Sequence, residues 1–128
     1  MKRVTGIGGV FFKSADPAAL AQWYRVHLGF DVQAWGGVSF DWSGPANPGG
    51  AGSTAWSLFK ADTDHFAPSA APFMINYRVH DLHALVAALR AEGCTVGDQV
   101  DESEYGRFCW MMDPEGNKLE LWEPPAAQ

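Results

Sequence analysis

The stretch Met112-Asp113-Pro114-Glu115-Gly116-Asn117-Lys118-Leu119-Glu120-Leu121-Trp122 decides how this chain folds. Proline pre-sets one turn position and glycine permits the positive φ that closes a short hairpin, so Asp113–Asn117 reads as a turn. It joins two strand-like runs, Gly106–Met112 and Lys118–Trp122. Working back from this hairpin, Thr95–Val100 is a further strand-like run, and a helical period covers Leu82 to Glu92. Asp81 is placed to cap that helix, Leu82, Leu85, Val86 and Leu89 form its apolar face, and Gly93 stops it. Phe73–Val79 in front of it reads as one more strand.

The first half repeats this order. Ile7–Lys13 reads as a strand, and Pro17–Leu28 as a helix capped by Asp16 and stopped by Gly29. Leu20, Trp23, Tyr24 and Leu28 fall on one face of it. Strand-like runs follow at Asp31–Trp35, Val38–Trp42 and Thr54–Phe59. Val10, Phe12, Lys13, Asp16, Leu20 and Arg25 lie opposite Ile75, Tyr77, Arg78, Asp81, Leu85 and Arg90, each pair 65 residues apart. After the helix the spacing falls to 64, with Gly29 and Val32 facing Gly93 and Val96. This is a βαβββ unit written twice, and two such units must cover each other's bare sheet face. One α+β domain over 1–128 follows, with module one at about 5–60, a linker at 61–72 holding Asp62, Asp64 and His65, and module two at about 73–124. Ser43–Ser53, rich in Gly and Pro, interrupts the first module as a loop, and Gly49-Gly50-Ala51-Gly52 reads as a flexible turn.

Composition bounds the function. The chain has 128 residues, 47% apolar and 13% aromatic, enough to hold a core and to exclude disorder as its main state. Nine basic against fifteen acidic residues give a net charge of −6, which argues against a nucleic-acid partner and weakly favours neutral or cationic ones. Cys94 and Cys109 carry no CxxC or zinc spacing and read as reduced thiols in a cytoplasmic protein. No apolar run approaches the ~20 residues that span a bilayer. Lys2, Arg3 and the short Gly-containing run behind them read as a first strand rather than a signal peptide.

Several pieces together resemble the vicinal oxygen chelate superfamily, which includes glyoxalase I, bleomycin resistance proteins and extradiol dioxygenases. They are Ala15-Asp16-Pro17, Trp23-Tyr24-Arg25, Leu28-Gly29-Phe30, Val79-His80-Asp81-Leu82 and the ending Met112–Trp122. The similarity spans about Thr5 to Pro124. It implies two tandem βαβββ modules forming a curved eight-stranded cup, the glyoxalase/bleomycin resistance fold, in a homodimer. The cup of such proteins holds the active or binding site, and metal-dependent members use ligands from the first and last strands of each module. Carried over by strand register, those four slots fall on Gly9, Trp56, Met74 and Glu120.

Glycine, an indole N–H donor, a thioether and one carboxylate make a poor site for a divalent ion. Thr5–Lys13 and Thr54–Phe59 contain no His, Asp or Glu to replace them. No metal and no other cofactor is therefore expected, unless the strand registers are misread. By alternation Gly9, Phe11 and Lys13 share the cup face, as do Met74, Asn76 and Arg78, and Lys118, Glu120 and Trp122. Trp56 joins them through the repeat. An apolar wall with a few polar groups is the composition of a small-molecule pocket. Elsewhere, His80 and His83 flank a helix cap with no third ligand, and Asp62, Asp64 and His65 read as a solvated loop. Tyr105 and Arg107 read as surface residues, and no nucleophile or phosphate-loop motif is present.

The leading expectation is a metal-free protein that binds a small aromatic or amphipathic molecule through Gly9, Phe11, Lys13, Trp56, Met74, Asn76, Arg78 and Trp122. The alternative is a glyoxalase-like lyase or isomerase with Glu120 as catalytic acid or base, with or without a divalent metal, since a carboxylate in an apolar cup has a raised pKa unless Arg78 or Lys13 pairs with it. A third is an interaction module whose cup is collapsed.

Overall fold

The computed structural model describes residues 3–43 and 52–126. The Gly/Pro-rich loop at 44–51, with most of the expected flexible turn, lies outside the described residues. The elements are β1 (Val4–Ser14), α1 (Pro17–Leu28), β2 (Gly37–Asp41), β3 (Ser53–Lys60), β4 (Phe73–Val79), α2 (Leu82–Ala91), β5 (Asp101–Ser103), β6 (Gly106–Met112) and β7 (Lys118–Glu123). All the described strands join one mixed sheet, in the order β2-β3-β1-β4-β7-β6-β5, curled into a half-barrel. β1 and β4 meet antiparallel at the centre, while β3 and β7 flank them in parallel.

Both helices begin where the sequence predicts. The Asp16 carboxylate accepts from the Ala19 N–H at 3.1 Å, and Asp81 does the same for Ala84 at 3.1 Å. Gly29 takes the left-handed conformation (φ 69°) that ends α1. The helices pack on the same, outer face of the sheet. Leu82, Leu85, Val86 and Leu89 of α2 bury against Val79, Cys109 and Leu121. Under α1 the second cluster is Ala21, Val32, Val38 and Leu58, with Phe12, Leu20, Phe30 and Trp56 packed around it. The expected apolar face of α1 is only half right. Leu20 and Tyr24 face the sheet, but Trp23 and Leu28 remain 50% and 57% exposed. The bulk of Trp56 and Phe30 fills the space beneath α1, so Ala21 makes the close approach.

The described residues hold seven strands rather than the expected eight. Asp31–Trp35 does not pair. It closes a turn, in which the Gly36 N–H donates to Gln33 O and the Gln33 N–H to Gly37 O. Thr95–Val100 is tied to β6 by a single bridge, Val96 to Met111. Arg90 occupies the Gly97 and Asp98 carbonyls, which keeps that run from forming a ladder, and the short β5 pairs with β6 instead.

Candidate functional site

Opposite the helices, the inner face of the sheet collects the residues that strand alternation predicted. Phe12, Tyr77, Val79, Leu119 and Leu121 pack outward with the helices. Their neighbours Phe11 and Lys13, Met74, Asn76 and Arg78, and Lys118, Glu120 and Trp122 therefore face inward. The register places Phe11 beside Met74, Asn76 beside Glu120, and Arg78 beside Trp122. Gly9 belongs to the same face, but the space above it is filled. A Cβ there would lie 2.7 Å from Phe11 Cζ.

Trp56 is the exception and corrects the predicted set. Its ring packs against Phe12, Tyr24 and Phe30, at centroid distances of 5.6, 4.7 and 5.0 Å, under α1. The cause is the repeat spacing. Phe11 and Asn76 are 65 apart, but their parallel partners are Ser57 and Glu120, 63 apart. A second residue has dropped out before the last strand, so Trp56 corresponds to Leu119 and Ser57 occupies the slot assigned to Trp56. The four slots become Gly9, Ser57, Met74 and Glu120. This donor set, with one carboxylate and no imidazole, does not fit the divalent metal of metal-dependent superfamily members. No cluster of three or more His, Cys, Asp or Glu with metal-holding placement occurs among the described residues.

Glu120 lies at the centre of the inner face with 16% of its side chain exposed. Asn76 Nδ2 donates to its Oε1 at 2.7 Å, and His65 Nε2 stands 3.8 Å from its Oε2. Burial pushes the carboxyl above its ordinary value; the Asn76 bond and the nearby His65 and Lys118 pull the other way without cancelling it. Asn76 is itself 3% exposed, and its Oδ1 has no hydrogen-bond partner. A buried acceptor left unpaired costs free energy, and such groups concentrate at functional sites. Gly8 makes room for it. The β1 register shifts between Ile7 and Gly9, and a Cβ on Gly8 would overlap Asn76 Oδ1 and lie 2.8 Å from the Trp122 ring.

Asp62, Asp64 and His65 are exposed, as the solvated-loop reading of these residues expects, yet 61–72 is more than a linker. This segment tucks against one end of the inner face. Phe66 is 0% exposed and packs on Phe59 at 5.1 Å, while His65 stacks on Phe59 with rings 8° from parallel. Lys118 Nζ donates to the His65 carbonyl at 2.6 Å, and the Lys13 N–H to Pro72 O at 2.7 Å. The sequence signal was Phe66, a large apolar residue in a Pro- and Asp-rich stretch. At the opposite end the Arg78 guanidinium lies 5.4 Å from the Trp42 ring, and a cleft of 440 Å³ opens between Thr5, Trp42, Arg78, His80 and Glu123. His83 instead faces Glu102 at 3.3 Å, and Arg107 pairs with Glu102 and Glu123 at 2.7 and 3.0 Å on the surface.

A glyoxalase-like domain profile matches residues 9–122 of this chain. The chain belongs to the glyoxalase-like domain family. It is thereby a member of the vicinal oxygen chelate superfamily. This glyoxalase-like chain is similar in fold to methylmalonyl-CoA epimerase from Mycobacterium tuberculosis, at 20% identity over 99% of this chain and 93% of that one, with a TM-score of 0.65. A Streptomyces coelicolor methylmalonyl-CoA epimerase variant, in complex with 2-nitronate-propionyl-CoA, aligns at 18% identity over 96% and 99%, TM-score 0.70. A Legionella pneumophila chain described as NAD-dependent benzaldehyde dehydrogenase aligns at 12% identity over 91% and 98%, TM-score 0.60. At these identities the likeness establishes the fold. No curated protein matches the chain in sequence.

Proposed function

We propose that this glyoxalase-like protein holds a small aromatic or amphipathic molecule against the inner face of its sheet, without the superfamily's metal. The observation that carries this is a buried carboxylate, Glu120, that accepts from the Asn76 amide nitrogen while the amide oxygen is left without a partner, on a face walled by Phe11, Phe59 and Trp122. Few polar groups set in apolar surroundings is the composition of a ligand site. The donor chemistry of Gly9, Ser57, Met74 and Glu120 supports the metal-free part of the reading. The chain is proposed to work as a single domain of two related halves, in a cytoplasmic homodimer. Native mass spectrometry of the freshly purified full chain tests these points together. The expected spectrum shows two chains, no divalent ion and a retained organic molecule. One tightly held divalent ion per chain would overturn the metal-free reading.

The raised Glu120 pKa favours a second reading, a lyase or isomerase in which Glu120 moves a proton. Asn76 would fix Oε1, and Oε2, with His65 Nε2 3.8 Å away, would meet the substrate. The likeness to methylmalonyl-CoA epimerases supports an enzyme of this general kind. In that case Glu120→Gln abolishes turnover while leaving folding and binding intact, and unchanged turnover would dismiss it.

A further inference from the structure

The chain carries 15 acidic and 9 basic residues, and the inner face of its sheet holds both signs. Along the four central strands, β3, β1, β4 and β7, the inward charged positions are Lys13, Arg78, Lys118 and Glu120, and the edge strands β2 and β5 add Asp41 and Asp101. The two lysines converge on a single dipeptide of the 61–72 segment. Lys118 Nζ donates to the His65 carbonyl, and Lys13 Nζ lies 5.6 Å from the centroid of the Phe66 ring. Lys118 Nζ is also 5.4 Å from the Trp110 ring. Neither ammonium has a carboxylate partner within 4.0 Å among the described residues. Glu120, which feels the Lys118 charge at longer range, accepts from Asn76 on Oε1 and faces His65 on Oε2. Aromatic faces hold both ammoniums at the edge of the apolar face without neutralising them.

We infer that the ligand of this face carries an anionic head group, a carboxylate or a phosphate, received between Lys13 and Lys118 at the end closed by His65 and Phe66. This rests on the inner face being a binding surface. The apolar body would then lie toward Phe11 and Trp122, with Met74, 1% exposed, packed beneath them. Two ammoniums with no carboxylate in ion-pair contact, beside a low-dielectric wall, attract an anion more strongly than the same pair in open water.

Calorimetric titration of the full chain with four probes of one ring size tests the inference. The probes are phenyl phosphate, phenylacetate, benzyl alcohol and phenethylammonium. An anion is expected to bind at least about tenfold more tightly than the alcohol or the amine, about 1.4 kcal/mol, and to weaken as salt is added. The tighter of phenyl phosphate and phenylacetate identifies the head group. K13Q/K118Q should lose that preference and K13R/K118R should keep it. If the double variant does not fold, K13Q and K118Q singly should each lose about half of the preference on a logarithmic scale. Equal binding of the alcohol or the amine overturns the inference and leaves the inner-face reading standing. Undiminished anion binding by the glutamine variants overturns the lysine assignment. Failure of all four probes to bind overturns the inference and the inner-face reading together.

Discussion

Glu120 is one carboxylate whose surroundings set its chemistry. Burial raises its pKa above the ordinary glutamate value, which is about 4.3. The folded chain therefore binds that proton more tightly than the unfolded chain does. The stabilisation from protonation is complete below the unfolded value and is lost as pH rises through the folded one. Glu120→Gln keeps an oxygen for Asn76 Nδ2 and removes the charge that burial disfavours. The variant should melt above the wild type at about pH 8, with the difference closing toward about pH 4. Melting curves across that range check it, and a difference that widens on acidification would contradict the assignment. Glu120 was legible from the family resemblance together with alternation, because Lys118, Glu120 and Trp122 follow a turn that fixes their register. Its partner His65 was not, because the two are joined by chain folding rather than by spacing.

At the scale of elements, the 61–72 segment and α1 both depart from their sequence patterns for reasons of packing. The segment is anchored by Phe66, which is fully buried against Phe59 under the Lys13 ammonium. Phe66→Ala should cost about 3–5 kcal/mol, the range for a buried aromatic. Trp23→Ala, on the 50% exposed side of α1, should change stability by about 0.5 kcal/mol or less. Urea denaturation of the two variants checks this contrast, and similar losses in both would sink it. Helical periodicity marked Trp23 as a core residue, but period alone cannot say how much room lies under a helix. Leu82, Leu85, Val86 and Leu89 of α2 meet small and aliphatic partners, so there the pattern and the burial agree.

For the whole molecule, the decisive quantity is the spacing between its halves. It is 65 in the first strands and 63 in the last, as the parallel pairs Phe11–Ser57 and Asn76–Glu120 show. A one-residue error in a strand exchanges its two faces, and that carried Trp56 from the helix side into the predicted cup. Trp56→Ala should cost about 2–3 kcal/mol, below the full range for a buried aromatic because the residue is only half-buried. Retention of small molecules in native mass spectrometry should be unaffected. Loss of retention with unchanged stability would place Trp56 back in the site. What the sequence determined by itself was local or periodic: the caps at Asp16 and Asp81, the turn at Asp113–Asn117, the family, and which residues of β1, β4 and β7 share a face. Propensity, turn chemistry and alternation act over a few residues and are written in order along the chain. Only the tertiary structure decided the register of β3, the fate of the Asp31–Trp35 and Thr95–Val100 runs, and the arrival of His65 beside Glu120. Those outcomes depend on which distant side chains compete for the same space and hydrogen bonds, and no local pattern records that competition.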